Sequence, residues 1–164
     1  MADQETNRDG ALPGHIPVLT GPLCEWIQLP TDGKMVDATL GHGGHSRLFG
    51  RQLGPEGILL GLDVDQNSIQ RARSILSDLT CKVTLVCENF AKLNEILADQ
   101  GIEAVDFILA DLGFCSAQMD DAERGLSFRH AMPLDMRLDK RLTTTAADLV
   151  NTLSQTELAD LIYE

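Results

Sequence analysis

A regular alternation of apolar and amphipathic stretches runs from residue 33 to residue 113, and it restricts the folds open to this chain. The pattern predicts strands at 33–40, 57–65, 82–90 and 105–113, with helices at 46–53, 66–79 and 91–100. Asp65 is the expected N-cap of the helix at 66–79. Strands alternating with helices at this spacing indicate βαβ units, so we predict an α/β fold with a parallel sheet and right-handed crossovers.

The alternation breaks after Asp111. Residues 112–143 carry no helical or strand period, yet they contain apolar side chains such as Phe114, Phe128 and Leu134. A long aperiodic stretch with this composition indicates a functional loop rather than disorder. Helical spacing returns at Thr145, and Ser154 with Glu157 forms a capping-box pattern before the last helix.

Composition excludes several classes of protein. No apolar run approaches the roughly 20 residues of a membrane span, and the polar first 14 residues read as a disordered lead-in without a signal peptide. The four cysteines are scattered, which indicates reduced thiols and a cytoplasmic protein. A net charge of -12 argues against binding nucleic acid by bulk electrostatics.

The glycine-rich segment DATLGHGGHS, residues 37–46, follows the first predicted strand. Ligands of doubly wound sheets bind at the carboxyl ends of the strands, and glycines there let a ligand lie against the backbone. The pattern resembles a dinucleotide fingerprint, although Ser46 stands where its third small residue belongs. Asp63 follows Gly44 at about the spacing expected for a carboxylate that binds ribose hydroxyls, so an adenosine ligand is predicted.

Charge at the strand ends favours one adenosine ligand over others. The ends carry only acids, with Arg47 as the nearest base: Asp37, Asp63, Asp65 and Asp111. NAD and ATP bring anionic phosphates, whereas S-adenosylmethionine carries a sulfonium and an ammonium group that suit acids. The sequence therefore favours S-adenosylmethionine. His42 and His45 have HxxH spacing, but the sequence shows no third ligand, so no metal is predicted.

Several motifs together resemble the MraW/RsmH family of S-adenosylmethionine-dependent 16S rRNA (cytosine-N4)-methyltransferases. The matching stretches run from His15 to about Glu164: HIPVL, VDATLGHGGHS, GLDVDQNSIQRA, ENF, VDFILADLG, SAQMDDAERGLSF and PLDMRLD. The resemblance implies a Rossmann-like methyltransferase fold, with the first four strands of the sheet present and a helical insert beginning. It implies cofactor contacts at Gly43, Gly44, His45, Asp63, Phe90, Asp111 and Gln118.

The expected division of the chain follows from this resemblance. Residues 1–14 would be the disordered lead-in, 15–113 the Rossmann-like cofactor-binding domain, 114–143 the long functional loop, and 144–164 the start of a truncated helical insert domain. The family implies a chain about twice as long, so we expect a fragment whose fourth strand is an exposed edge through which copies could self-associate.

Some residues depart from the family pattern. Cys115 replaces the first of two serines, Ala131-Met132 replaces an Asp-Gly pair, and Phe107 replaces a glycine. These departures affect the expected substrate side more than the cofactor side. Cys115 is interpreted as a small buried thiol and not as a nucleophile.

The implied reaction needs an acceptor for the protons of a cytosine amino group, which is a poor nucleophile. By resemblance and position, Asp111 is the candidate catalytic residue, and its alternative role is to cap the strand end. The cytosine would have to leave its stack. Asp135, Arg137 and Asp139, like Glu123 and Arg124, are more simply interpreted as an ion-paired loop scaffold.

An enzyme acting on the small ribosomal subunit needs a basic surface. The only cluster of bases lies in the long loop, and we expect it to face RNA: Arg124, Arg129, Arg137, Lys140 and Arg141. Two alternatives remain open from the sequence. One is an NAD-linked oxidoreductase, which the glycine loop alone permits, and the other is a non-catalytic remnant that binds cofactor without turnover.

Overall fold

The computed structural model describes residues 19–113, 116–119, 121, 124–129 and 131–163. The strands β1 (Lys34–Asp37), β2 (Ile58–Asp63), β3 (Lys82–Cys87) and β4 (Phe107–Leu109) form one parallel sheet in the order β3-β2-β1-β4. This is the strand order of the first half of a doubly wound Rossmann-like sheet, so the predicted fold class is confirmed. The predicted lead-in, residues 1–14, lies outside the described residues.

Helices precede, connect and follow the strands along the chain. They are α1 (Thr20–Trp26), α2 (Gly44–Gly50), α3 (Gln66–Ile75), α4 (Leu93–Asp99), α5 (Ser116–Met119), α6 (Ala146–Thr152) and α7 (Gln155–Tyr163), with a 3-10 turn at Phe90–Lys92. The pleat sends alternate side chains of β1 and β2 to opposite faces of the sheet. Met35 and Leu59 therefore join a core cluster with Phe49 of α2, while Val36 and Leu60 join a cluster with Ile96 of α4.

The helix α3 follows its predicted pattern closely. Ile69 and Ala72, together with Leu76 just beyond the helix, are buried in the core. The Asp65 carboxylate accepts a hydrogen bond from the Asn67 amide at 3.0 Å, which confirms Asp65 as the N-cap. Apolar spacing and a cap residue together were enough to locate the start of this helix, which ends at Ile75, four residues before the predicted end.

The strands are shorter than predicted, and at β1 and β2 the chain leaves the sheet at an aspartate. β1 ends at Asp37 and β2 at Asp63, and both carboxylates accept hydrogen bonds from amides of the following loops. The predicted helix at 91–100 begins one residue earlier, as a 3-10 turn at Phe90 that Asn89 caps. β4 has only three residues.

The long loop is largely irregular, as predicted. Among the described residues of 112–143, only α5 is helical, and none lies in a strand. Capping boxes open both later helices, at Thr145 with Asp148 and at Ser154 with Glu157. The Ser154 box is the predicted one. Across the described part of the chain, every helix is too short to cross a bilayer.

Candidate functional site

The carboxyl edge of the sheet brings the predicted site segments together. The register pairs Asp37 with both Gly61 and Leu109, and it pairs Asp63 with Cys87. The loops after all four strands therefore start from one edge, which is where doubly wound sheets bind ligands.

The glycine loop, residues 38–43, turns sharply between β1 and α2. Gly41 and Gly43 have φ angles of 51° and 82°, in the left-handed region where a side chain is costly. A Cβ on Gly43 would lie 3.2 Å from the Ala72 Cβ, so the loop lies directly against α3. A Cβ on Gly41 would meet only the Thr39 carbonyl oxygen, at 3.9 Å, so the backbone there faces open space.

Asp37 lies beneath this loop and is only 1% exposed. Its carboxylate accepts hydrogen bonds from the Ser46 hydroxyl at 2.7 Å and the Thr39 amide at 3.2 Å. Burial raises the pKa of Asp37, and these two hydrogen bonds oppose that shift. The expectation that Asp37 contributes to an acidic rim is wrong, because its carboxylate is enclosed. Ser46, the departure from the dinucleotide fingerprint, is the residue that satisfies it.

Asp63 connects β2 to the glycine loop. One carboxylate oxygen accepts from the Gly41 amide at 2.8 Å and the other accepts from the Asp65 amide at 2.8 Å. Burial raises the pKa of Asp63, while those hydrogen bonds and the positive charge of Arg124 lower it. Because each oxygen accepts one of these hydrogen bonds, each keeps a lone pair for a further donor. The side chain is half-buried.

Asp111 follows β4 and is exposed. Its amide donates to the Thr39 hydroxyl at 2.7 Å, which fastens the loop after β4 to the glycine loop. Phe90 follows β3 and is 47% exposed, a large fraction for an aromatic side chain.

The remaining predicted cofactor residues also lie at this edge. Gly43 is the N-cap of α2, and Gly44 and His45 open that helix. Gln118 lies in α5 and lines a cleft of about 470 Å³ together with His42, Asp65, Asn67, Ser68, Arg71, Asp121 and Arg124. The structure therefore places Asp63 as the last residue of β2 and the other six predicted residues in loops or helices that follow β1, β3 and β4.

Arg124 is the residue that the sequence did not single out for this edge. It is 3% exposed, and its guanidinium donates to Asp65 at 2.6 Å and to Asp121 at 3.0 Å. We refer to residues 124–141 as the arch. The arch begins at this ion pair beside β2 and ends at Arg141, which donates to Glu88 at 3.0 Å and to the Cys87 carbonyl at 3.3 Å beside β3.

Ion pairs within the arch agree with the scaffold interpretation. Arg137 pairs with Asp135 at 2.6 Å, and Arg141 pairs with Asp139 at 2.8 Å. The Arg137 hydrogen bond lowers the pKa of Asp135 to about 2. Glu123, which was assigned to the same scaffold, lies outside the described residues, as does Cys115.

The expected basic surface is mostly neutralised. Arg124, Arg137 and Arg141 each pair with acids of this chain, and Arg124 is buried. Arg47, which was expected to be the base nearest the ligand, pairs with Asp78 at 2.7 Å. The prediction that five bases of this loop face RNA is therefore wrong for the buried Arg124, and it stays a prediction for Arg129, Arg137, Lys140 and Arg141.

Within the described ranges, no three side chains of His, Cys, Asp or Glu come together as a metal site would require. The His42 ring nitrogen lies 3.1 Å from the Arg71 guanidinium.

Comparisons with known proteins agree on one family. The profile of the MraW methylase family matches residues 13–164. The chain is 45% identical over 150 residues to the ribosomal RNA small subunit methyltransferase H of Geotalea daltonii, covering 92% of this chain and 48% of the relative. It is 46% identical over 149 residues to the protein of the same name from Syntrophobacter fumaroxidans, covering 91% and 47%. The chain thus spans about half the length of the curated relatives it matches.

Proposed function

Because the chain belongs to the MraW methylase family, we propose that it binds S-adenosylmethionine and takes part in methylating the N4 amino group of a cytosine in the decoding region of small-subunit rRNA. Its matched relatives carry the name of a small-subunit rRNA methyltransferase. A protein that acts on this substrate would work in the cytoplasm, where the small ribosomal subunit is found.

One observation carries the cofactor assignment. Asp63 and Phe90 follow neighbouring strands at the same edge, one offering carboxylate lone pairs and the other a half-exposed ring. An adenosine group presents two ribose hydroxyl donors and a flat base, which match this pair. The open backbone at Gly41 adds room beside Asp63.

The individual roles follow from this placement. Asp63 would accept from the ribose hydroxyls, Phe90 would cover the adenine, and the Gly43–His45 segment would lie under the methionine end. Asp111 and Gln118 would close the side nearest β4 and α5. S-adenosylmethionine, when bound, supplies an electrophilic methyl group.

The chain's own contribution to the reaction is positioning and proton acceptance. A cytosine amino group attacks poorly because its lone pair is delocalised, so an aligned approach and a proton acceptor both lower the barrier. Asp111 is exposed at the strand edge, and its backbone is fixed to Thr39, so its carboxylate can accept an amino proton.

Ligand titration by calorimetry tests the cofactor assignment. We expect S-adenosylmethionine and S-adenosylhomocysteine to bind and NAD to bind more weakly or not at all. Tighter binding of NAD would contradict the proposal and would favour an oxidoreductase.

Transfer of a radiolabelled methyl group to unmethylated small subunits tests the reaction. Asp111→Asn keeps the size of the side chain but removes the proton acceptor, so we expect it to bind S-adenosylhomocysteine and to transfer more slowly by roughly 10²-fold or more. Cofactor binding without any transfer by the unaltered chain would instead indicate that this chain binds cofactor without turnover.

A further inference from the structure

A continuous hydrogen-bonded path joins the arch to the glycine loop. Arg124 donates to Asp65 at 2.6 Å, the Asp65 amide donates to Asp63 at 2.8 Å, and Asp63 accepts from the Gly41 amide at 2.8 Å. The first of these contacts spans 59 residues of sequence. The path therefore connects a loop on the expected substrate side with the carboxylate proposed for the ribose.

Arg124 has little freedom to leave this path. The guanidinium also donates to Asp121 at 3.0 Å and to the Leu138 carbonyl at 3.4 Å, and the Arg124 carbonyl accepts from the Met136 amide at 2.7 Å. Met136 has a left-handed backbone with a φ of 59°. A Cβ on Gly125, the residue after Arg124, would collide with the Pro133 carbonyl oxygen. The arch is thus folded tightly around a buried arginine.

Asp65 transmits the contact because its two oxygens serve different partners. Oδ1 caps α3 through the Asn67 amide at 3.0 Å, whereas Oδ2 accepts from Arg124. Its backbone amide is the donor to Asp63. Fixing the Asp65 side chain from both sides therefore fixes the direction of the amide that orients the Asp63 carboxylate.

We propose that Arg124 is a positioning residue that holds Asp63, through Asp65, in the orientation that accepts hydrogen bonds from the ribose of the methyl donor. This inference rests on the proposed function, because it assigns Asp63 to the ribose. It makes the affinity for the adenosine part depend on a residue of the arch that does not itself contact the ribose.

The charges around Asp63 give this role a pH signature. Asp37 of β1, Asp65 after β2 and Cys87 of β3 surround it, and Arg124 is its nearby cation, while His45 of α2 faces Asp37. Burial has already raised the pKa of Asp63, and Arg124 opposes that rise. Removing the guanidinium raises the pKa further, so the protonated form, which accepts ribose hydroxyls poorly, persists to higher pH.

The test is calorimetric titration of the full 164-residue chain with S-adenosylhomocysteine between pH 5 and pH 8. We expect Arg124→Met to weaken binding about tenfold, as for coupled residues of one network, and to move the acid-side loss of affinity to higher pH. Arg124→Lys should recover much of both effects, because an ammonium keeps the charge near Asp65. Arg129→Met is the matched control, since Arg129 is an exposed arginine of the arch with no ion pair to any described residue.

Two further variants separate positioning from general loosening. Arg141→Met cuts the other end of the arch and should leave the pH profile of binding unchanged, because Arg141 pairs with Glu88 and Asp139 and not with Asp65. Asp65→Asn combined with Arg124→Met removes the charge left unpaired and keeps a good N-cap, so it should fold while binding remains weak. Equal pH shifts in the Arg124 and Arg141 variants would overturn the proposal, as would full affinity in the double variant.

The outcome for the unaltered chain separates this inference from the proposed function. Failure of the unaltered chain to bind S-adenosylhomocysteine contradicts the proposed function itself. Binding by the unaltered chain, with the same affinity and pH profile in a folded Arg124→Met variant, contradicts only the positioning role.

Discussion

Asp37 and Asp63 end adjacent strands, yet their surroundings give them different roles. The Asp37 carboxylate is enclosed beneath the glycine loop and bonded to Ser46, whereas the Asp63 carboxylate is half-buried and retains lone pairs. The first therefore holds the loop in place from below, and the second is available to a ligand. Two aspartates that each end a strand can thus have different roles, one in the structure of the loop and the other, as proposed, in ligand binding.

Substitution of Asp63 by alanine should weaken binding of S-adenosylmethionine by about 1.5–3 kcal/mol, the range for hydrogen bonds that involve a charged group. Calorimetry measures this change. Asp106→Ala is a matched control, because the Asp106 carboxylate also accepts from a backbone amide, that of Lys34 at 2.7 Å, but at the opposite edge of the sheet. Unchanged affinity in a folded Asp63→Ala variant would remove Asp63 from the ribose site.

Asp37 should make the stability of the protein depend on pH. Its folded pKa lies above the unfolded value of 3.8, so the folded state keeps a proton that the unfolded state has released. Stability therefore falls as the pH rises from about 3.8 through the folded pKa. Asp37→Asn should flatten this fall, and urea unfolding at a series of pH values measures it.

Ser46→Ala provides the opposite change at the same site. It removes a hydrogen bond that lowers the pKa of Asp37, so the loss of stability with rising pH should extend to higher pH. At neutral pH the variant should be about 1–3 kcal/mol less stable, because the buried carboxylate loses a partner. Identical pH profiles in the two variants would show that Asp37 does not control the dependence.

Sequence spacing predicted that an acid, Asp63, ends the second strand, but it could not reveal the partners of Arg124. Asp63 follows a strand at the distance that a ribose carboxylate requires, and this regularity is local. Arg124 pairs with Asp65 at a sequence separation of 59 residues, and Arg141 pairs with Glu88 at a separation of 53 residues. Pairs of this kind depend on how an aperiodic loop folds back, which no periodicity in the sequence encodes.

At the scale of elements, the turn from β1 into α2 depends on its contact with α3. Gly43 caps α2 with a left-handed backbone, and Ala72 of α3 lies against it. Two features therefore exclude a side chain at Gly43: its φ angle and the proximity of a second helix.

Gly43→Ala should destabilise the protein more than Gly101→Ala. Gly101 has a φ of 65° but open space around it, so alanine there incurs only the left-handed penalty of about 1–2 kcal/mol. Gly43→Ala adds the contact with Ala72, and we expect a loss of about 1 kcal/mol beyond the control, at the lower end for overpacking. Thermal or urea unfolding of both variants measures the difference, and equal losses would show that α3 gives way.

The elements themselves were largely predictable, and their ends were not. Buried parallel strands appear in the sequence as apolar runs, and α3 appears as apolar residues at helical spacing. Both patterns can be recognised within a short stretch of sequence. The prediction ran past the observed strand ends by three residues at β1, two at β2, three at β3 and four at β4. Where β1 and β2 stop depends on the hydrogen bonds that Asp37 and Asp63 accept from the following loops, and these hydrogen bonds exist only in the folded protein.

For the molecule as a whole, the sheet has two unpaired edges among the described residues, at β3 and β4. β4 pairs only with β1 and exposes Ile108. An apolar edge strand of this kind is a template for pairing with another copy. We therefore propose that this chain self-associates through β4.

Ile108→Lys should raise the monomeric fraction, because a charged side chain on an edge strand opposes pairing. Val150→Lys is the matched control: both residues are 49% exposed, but Val150 lies on α6 rather than on the sheet edge. Size-exclusion chromatography with light scattering measures the two variants beside the unaltered chain. An equal effect of both substitutions would indicate general apolar association instead of edge pairing.

The internal ion pairs of the arch also bear on how ionic strength should affect contact with RNA. A protein cation that already pairs with an acid of its own chain neutralises fewer RNA phosphates, so fewer condensed counterions are released on binding. Arg124, Arg137 and Arg141 are engaged in this way, in a chain whose net charge is -12. The described arch should therefore contribute only a shallow slope to any plot of log RNA affinity against log salt concentration.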